Sequence, residues 1–442
     1  MSDSPTRRTV IQGAASLGAL TWAGRGLAAP VRRTRPPNIV VIMSDEHDAG
    51  VMGCMGDSVV RTPHLDKLAA RGILFGSCYT PSPVCGPARL AFTLGRYSSR
   101  DRIWSNHSIP RSDTLPSLAR QLQTVGYRTL LCGKQHYMPG RRYGFKDLGK
   151  NYNHYEKQGW VMRRDPDDES INHELGKKRF KDFQVSKESG IYNHDEPITR
   201  RASRFIEHQT THDSPYLLFV GFKAPHFPLI APRCEYRKVQ GKVKMPKIPK
   251  GLLDSQPLNY HHLRRAFGVV DVDPATVRLG RELYTALVGW MDHQVGEVIK
   301  AVDSSYQRDN TVIIYLSDHG ENKGDHGLWW KNCMYDHAAR IPLIMRWPDR
   351  WKGGQFRKAP CSSLDVVQTI LELAGADAPG DWDGDSLLPW MDDKDHDWKN
   401  LAVSEYYAHN VCSGFSMIRK GPYKYVYHTE IDSRHGAEKE LY

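Results

Sequence analysis

The sequence predicts an α/β fold: a large, mostly parallel sheet flanked by helices, followed by a small C-terminal antiparallel subdomain. Three observations predict it. Continuous apolar, β-branched runs recur along the chain, helical stretches lie between them, and the final part changes to a hairpin pattern. The runs 38–44 (NIVVIMS) and 311–317 (TVIIYLS) show no polar alternation, which marks strands buried on both faces of a parallel sheet. Runs at 128–132 and 216–222 read the same way. Between them, helices are expected over 62–72, 115–126, 282–302 and 364–375; the first has Pro63 near its start and Gly72 at its stop. Residues 415–428 read as a β-hairpin turning at Gly421-Pro422.

The chain has 442 residues, of which 40% are hydrophobic and 25% charged. That composition excludes a multi-span membrane protein, a collagen-like chain and a mostly disordered one. Net charge is +11, yet no run of Lys and Arg forms a basic stripe, so no nucleic-acid partner is expected. A basic site for a small anion, or a solvated basic surface, accounts for the charge. Eight cysteines include no CxxC pair and no zinc spacing. At the N-terminus, Arg7-Arg8 precedes a short apolar stretch from Val10 to Ala23, and small residues follow at 26–29. This order resembles a twin-arginine signal peptide over residues 1–29. It implies a bacterial source, the twin-arginine export machinery as a partner, and a periplasmic or secreted product. A main domain is expected over residues 36–375 and a small α+β subdomain over 376–442.

The strand ends share a chemistry. The first run ends in Asp45-Glu46-His47 and the 311–317 run in Asp318-His319-Gly320. The 128–132 run ends in Gly133-Lys134-Gln135-His136, and the 216–222 run in Lys223-Ala224-Pro225-His226. In open α/β sheets, ligands sit outside the carboxyl ends of the strands. Any one of these acids could simply cap a helix or turn; four reactive ends argue for a site. The polar stretches 150–200 and 231–278 have weak periodicity and read as excursions that shape substrate choice. Trp329-Trp330 read as core or rim aromatics, and Asp336 and His337 as loop residues.

The decisive stretch is Pro83-Val84-Cys85-Gly86-Pro87-Ala88-Arg89, continued by Thr93-Leu94-Gly95-Arg96. Pro87 suits a first helical turn and Gly95 a helix end, which places Cys85 at a helix N-terminus with Arg89 one turn on. Amide N–H groups and the helix dipole there favour an anion.

Cys85-Gly-Pro-Ala-Arg89 with its downstream segment resembles the signature of cysteine-type sulfatases in the alkaline phosphatase superfamily, although Leu94 stands between Thr93 and Gly95. The resemblance extends to Asn38–Asp45, Gly133–His136, Ala224–Pro228, Ser317–Gly320, Gly327–Lys331, Arg340–Ile344 and Asp383–Leu387. It implies an alkaline-phosphatase-like catalytic domain and hydrolysis of an organic sulfate ester to alcohol and sulfate. It also implies that a formylglycine-generating maturation enzyme oxidises Cys85 to formylglycine. One hydroxyl of the hydrated aldehyde attacks sulfur, and the other allows sulfate to leave without a second attack. The implied metal is one divalent ion, calcium first with magnesium or manganese as alternatives, held by Asp45, Glu46, Cys85, Asp318 and His319. Arg89 would orient residue 85, and Lys134 and Lys331 would neutralise sulfate oxygens. His136 would act on the gem-diol, and His226 on the leaving alcohol or the sulfate. Many relatives have Asp-Asp where this chain has Asp45-Glu46, so Glu46 reads either as a ligand or as an exposed acid at the rim. Relatives also continue beyond the equivalent of Glu440-Leu441-Tyr442, so a truncated C-terminal subdomain is one expectation. The substrate half implied is a small-molecule or carbohydrate sulfate ester; choline, aryl and sugar sulfates stay open. A phosphonate monoester or phosphodiester hydrolase of the same superfamily is the alternative, and a non-catalytic anion-binding relative a third.

Overall fold

The run NIVVIMSD forms a strand that is buried along its whole length, because its alternate side chains enter two different cores. Val40 and Ile42 face one core, and Ile39, Val41 and Met43 face the other. A strand with two apolar faces has to be central in a sheet covered on both sides. The computed structural model describes residues 35–108, 110–149, 163–167 and 174–442. The arginine pair and apolar stretch of the expected export signal lie outside the described residues, as does much of the polar stretch 150–173.

The elements in the first half are β1 (Asn38–Asp45), α1 (Pro63–Ala70), β2 (Ile73–Tyr79), α2 (Cys85–Leu94), α3 (Leu118–Thr124), β3 (Arg128–Gly133), β4 (Lys146–Asp147), α4 (Glu174–Lys181), β5 (Gln184–Val185), α5 (Gly190–Glu207) and β6 (Tyr216–Pro225). They continue with β7 (Ile230–Ala231), α6 (Arg233–Val239), α7 (Leu258–Ala266), α8 (Pro274–Asp303), β8 (Thr311–Ser317), α9 (Asp336–Ala339), β9 (Arg340–Arg346), β10 (Gln355–Arg357) and β11 (Cys361–Ser362). The last are α10 (Ser363–Ala374), α11 (Leu388–Asp392), β12 (Leu401–Tyr406), β13 (Phe415–Lys420), β14 (Tyr423–His428) and β15 (Glu438–Leu441). Residues 36–442 make one compact unit.

The main sheet runs β10-β2-β9-β8-β1-β6-β3-β4, with β11 also beside β2. Among the described residues only β9 runs against the other strands of this sheet. The four strands expected from sequence are neighbours: β8, β1, β6 and β3 lie side by side and parallel. One face is covered by helices that include α1, α5 and α8, the other by α2, α3, α10 and α11. Helix α8 begins eight residues before the expected start: Asp273 caps it through Thr276 N at 2.9 Å, and Pro274 opens it. Within the polar stretch 150–200, α5 is not an excursion. Its Ile191, Ile198, Ala202 and Ile206 enter the core.

The C-terminal hairpin forms as expected, with β13 and β14 joined across Gly421-Pro422. It lies within an antiparallel sheet of order β12-β13-β14-β15 that begins at Leu401. Its inward residues Tyr406, Phe415, Met417 and Val426 join the core of the main domain. Residues 387–391, after the expected boundary at 376, instead pack against the opposite face of the main sheet. No described helix is long and apolar enough to cross a membrane.

One close approach fixes the active end of the sheet. Gly133 and Gly221 are register partners on β3 and β6, and Gly133 has φ +101°. A Cβ at Gly221 would overlap the carbonyl oxygen of Lys134, and one at Gly133 would overlap that of Gly221. Only glycines allow these backbones to meet. Gly221→Ala is therefore expected to lower stability by about 1–3 kcal/mol through overpacking and to reduce activity by displacing Lys134. Gly380→Ala, which meets no atom within 4 Å, is the control; thermal unfolding and kcat/KM on the two variants check this.

Candidate active site

Four neighbouring strands deliver their ends to one place. Parallel register pairs Ser44 with Ser317, so Asp45 and Asp318 follow side by side at the ends of β1 and β8. Strand β3 leads into Lys134 and His136, and β6 into His226. On the same side, Val84 precedes α2 in extended conformation and Cys85 is its first residue. The Asn106 side chain accepts from Gly86 N at 2.8 Å, which holds that helix start.

The thiol of Cys85 lies 3.6 Å from Asp45 Oδ1 and 3.1 Å from His319 Nε2. Lys331 Nζ donates to it at 3.2 Å. Asp45, Cys85, Asp318 and His319 are all buried, and one ligand atom from each lies within 4.8 Å of the others. Asp45, Glu46 and His226 form a second such group that shares Asp45. All ten residues singled out from sequence meet around these two groups and the pocket above them.

Each position has a physical cause. Arg89 reaches inward from α2: its Nε donates to Asp318 Oδ2 at 2.7 Å, and its guanidinium also donates to the carbonyls of Lys134 at 2.9 Å and Ser44 at 3.4 Å. Arg89 thus contacts Asp318, Asp45 at 4.0 Å and the strand ends. Lys134 Nζ pairs with Asp45. Lys331 Nζ donates to Glu46 Oε2 at 3.1 Å and to His226 Nε2 at 3.0 Å.

Glu46 is fully buried, so its reading as an exposed rim acid falls away. It holds φ 69°, a left-handed conformation uncommon for glutamate. Two bonds secure it: Glu46 N donates to Asp318 Oδ1 at 3.1 Å, and Tyr284 Oη donates to Glu46 O at 2.7 Å. Burial, with Glu321 nearby, raises its pKa well above the carboxylate range against the pull of Lys331. Its Oε1 has no hydrogen-bond partner among the described residues.

Burial lowers the His319 pKa to about 3, so the imidazole is neutral. Its Nδ1 donates to Gly320 O at 3.0 Å, which turns the Nε2 lone pair toward Asp45, Asp318 and Cys85. Burial, followed by the charges of Lys331 and Lys134, also lowers the His226 pKa well below normal. Burial raises Asp318, but Arg89 and its cationic neighbours outweigh it and hold the carboxylate ionised. Burial pushes the Cys85 thiol up to about 12, so the unmodified thiol is a weak nucleophile at neutral pH.

These donors fit a hard divalent cation. Two carboxylates, the neutral His319 imidazole and residue 85 converge, Glu46 adjoins them through the second group that shares Asp45, and the unpartnered Glu46 Oε1 favours a positive charge beyond those the side chains supply.

A pocket opens above the group, lined by Cys85, Lys134, His136, His226 and Lys331 together with residues that sequence reading missed. Those are chiefly Asn106, Arg179, Phe227, Phe267, Asn332 and His409. They come from loops and helices far apart in the chain, and no local pattern marks them. Trp330 lines the pocket too and is almost fully buried, as a core or rim aromatic should be. His337 and Asp336 bind elsewhere: His337 Nδ1 lies 2.8 Å from Asp48 Oδ2, and Asp336 Oδ1 accepts from Lys424 at 3.0 Å.

The family model described as sulfatase matches residues 37–376. The chain belongs to the sulfatase family. A second model, N-sulphoglucosamine sulphohydrolase C-terminal, matches residues 324–436 of this sulfatase. The sulfatase is 29% identical over 416 residues to the choline-sulfatase of Rhizobium meliloti (strain 1021), covering 89% of this chain and 78% of the relative. It is 30% identical over 360 residues to the uncharacterized sulfatase YidJ of Escherichia coli (strain K12), covering 80% and 70%. Two solved structures share its fold. The complex of BT4656 with its substrate D-glucosamine-2-N,6-O-disulfate has TM-score 0.72 at 22% identity, covering 92% of this chain and 91% of that one. The phosphonate monoester hydrolase of Agrobacterium radiobacter has TM-score 0.75 at 20% identity, covering 92% and 89%.

The Arg89–Asp318 pair is completely buried. Removing one partner of such a pair strands the other, at about 3–5 kcal/mol. Arg89→Met is expected to destabilise by that amount, and the double variant Arg89→Met/Asp318→Asn by less than the sum of the singles. Denaturant unfolding of the four proteins measures the coupling.

Proposed function

We propose that this sulfatase hydrolyses an organic sulfate monoester, using formylglycine made from Cys85 and one divalent cation, calcium before magnesium or manganese. The observation that carries the reading is the buried convergence of Asp45, Asp318, His319 and residue 85 within 4.8 Å. The cation, bound by those residues and Glu46, supplies charge compensation for the sulfate and a lower pKa for the attacking hydroxyl. Formylglycine supplies a hydrated aldehyde, whose two hydroxyls serve attack and release. In this account the Cys85 thiol marks the place of those hydroxyls.

The chain's own residues do the rest. Lys134 and Lys331 neutralise sulfate oxygens as point charges. His136, buried in the pocket wall, takes the proton of the attacking hydroxyl. The leaving oxygen takes its proton from the Lys331–His226 pair, whose Nζ and Nε2 are 3.0 Å apart. Arg89 holds Asp318 and the Lys134 backbone in place, so it sets geometry rather than touching the ester. The reaction consumes water and releases alcohol, sulfate and a proton.

The Arg7-Arg8 segment fits this chemistry. Maturation acts on an unfolded cysteine peptide inside the cell, and a twin-arginine route then exports the folded, modified enzyme to the periplasm. The substrate is a sulfated sugar or another small sulfate ester.

Mass spectrometry of the peptide containing residue 85, from cells that coexpress a formylglycine-generating enzyme, is expected to show the aldehyde. An unmodified thiol in fully active enzyme overturns the reading. Cys85→Ala is expected to lower kcat/KM on 4-nitrophenyl sulfate by at least about a thousandfold, since it removes the nucleophile. Chelation should abolish turnover and calcium should restore it. An aryl phosphonate cleaved orders of magnitude better than the sulfate would make the phosphonate monoester hydrolase reading the better one.

A further inference from the structure

His226 stands in a short loop between β6 and β7 whose own backbone holds it only locally. Pro225 and Pro228 flank it and carry no N–H to donate. His226 N reaches back to Lys223 O at 3.0 Å, and Ile230 N to Pro228 O at 2.9 Å. The strand that feeds the loop is irregular as well. Pairing of β6 with β3 ends at Gly133 opposite Gly221. Its register with β1 shifts between Met43 opposite Gly221 and Asp45 opposite Pro225, so the step from 221 to 225 matches the step from 43 to 45. Such a bulge re-aims the residues that follow it.

One carboxylate takes up the bulge. Asp195 Oδ1 accepts from Lys223 N and Asp195 Oδ2 from Ala224 N, both at 2.8 Å. His194 Nδ1 also lies 2.5 Å from Oδ1. Asp195 is fully buried on α5, a helix fixed in the core by Ile191, Ile198, Ala202 and Ile206. From the same helix, Tyr192 Oη donates to Ile230 O at 2.6 Å, beyond the far end of the loop. The loop is thus strapped to one helix at its entrance and its exit. Between the straps, His226 Nε2 comes to 3.0 Å from Lys331 Nζ and 3.2 Å from Glu46 Oε2. Hydrogen bonds from amides to a carboxylate are strong, and deleting the carboxylate strands two buried N–H groups. A misplacement of about 1 Å can cost a reaction about a hundredfold.

We propose that Asp195 is a positioning residue for departure of the alcohol. By fixing Lys223 and Ala224 it sets His226 against Lys331, where the pair meets the departing oxygen. This rests on the reading above in which that pair supplies the proton. In that step the attacking oxygen bonds to sulfur, the bond from sulfur to the alcohol oxygen breaks, and the electron pair left on that oxygen takes up the proton. An alcohol that is a poor anion needs the proton; a nitrophenolate leaves without it.

The test compares the mature wild type with Asp195→Asn, Asp195→Ala and His226→Gln on phenyl sulfate and 4-nitrophenyl sulfate, beside thermal unfolding of each. His226→Gln is the benchmark and is expected to lose at least about tenfold more kcat/KM on phenyl sulfate than on 4-nitrophenyl sulfate. Asp195→Ala should show the same excess loss. Asp195→Asn, which keeps one acceptor oxygen, should fall between it and the wild type, and it carries the test if Asp195→Ala does not fold. If His226→Gln shows the excess but the Asp195 variants lose equally on both substrates, or lose nothing, the positioning role is overturned while the proton-donor reading stands. If His226→Gln itself shows no excess, that reading is overturned and this inference with it. If the wild type cleaves neither aryl sulfate, crystal structures of the wild type and Asp195→Asn decide. A shift of His226 Nε2 away from Lys331 Nζ by about 1 Å supports the proposal, and an unmoved imidazole overturns it.

Discussion

The site depends on charge balance among buried side chains. Asp45, Glu46 and Asp318 sit at strand ends with at most 3% of their surface exposed. Three buried carboxylates so close together would repel one another and lose their hydration. Arg89, Lys134 and Lys331 meet them one to one, each buried as well. Such a lattice contributes little net stability against an apolar core of equal volume. What it provides is a fixed, preorganised field, which is the form of electrostatic help that catalysis uses.

Packing behind the site makes that field rigid. The glycine pair Gly133 and Gly221 lets β3 and β6 close up, which sets the Lys134 backbone where Arg89 can bind its carbonyl. Tyr284, from the long helix α8, anchors the loop after β1 twice. It donates to Glu46 O at 2.7 Å and accepts from Asp48 N at 2.9 Å. Asp48 continues the pattern of buried pairing, with Lys323 Nζ at 2.5 Å. The left-handed backbone of Glu46 is held by these neighbours, as strained residues at functional sites usually are. Helix α2 then brings residue 85 to the carboxylates, with Asn106 fixing its first turn.

Floor and wall of the pocket follow different rules. The floor comes from strand ends, whose positions the sheet register dictates. The wall comes from α4, the stretch after α7 and the 330 region, with His409 from beside the C-terminal sheet. Strand ends vary little without unravelling a sheet, whereas such peripheral segments tolerate change. One hydrolytic floor can therefore serve many alcohols.

Much of this was legible in the sequence for a local reason. Continuous apolar runs declare a doubly covered parallel sheet, and the residues just after each run declare a site. Strands β1, β3, β6 and β8 were all marked in this way, and so were the seven residues at their ends, whereas Cys85 and Arg89 on α2 and Lys331 in the loop after β8 were marked by the family resemblance. Strand β9, which runs against its neighbours, was not marked as a strand of that sheet, because strand direction is a property of pairing and leaves no local trace. The buried state of Glu46 was hidden as well: Asp-Glu after a strand looks the same whether it faces solvent or Lys331 and His226. The Arg89 contacts and the nearness of Arg179 to Phe227 and Trp330 were likewise out of reach, since each joins residues dozens to hundreds of positions apart. By itself the sequence determined which groups are available and on which strand ends they stand. The tertiary structure alone decided which of them touch, because burial, pairing and the resulting charge states arise only when distant segments share one small volume.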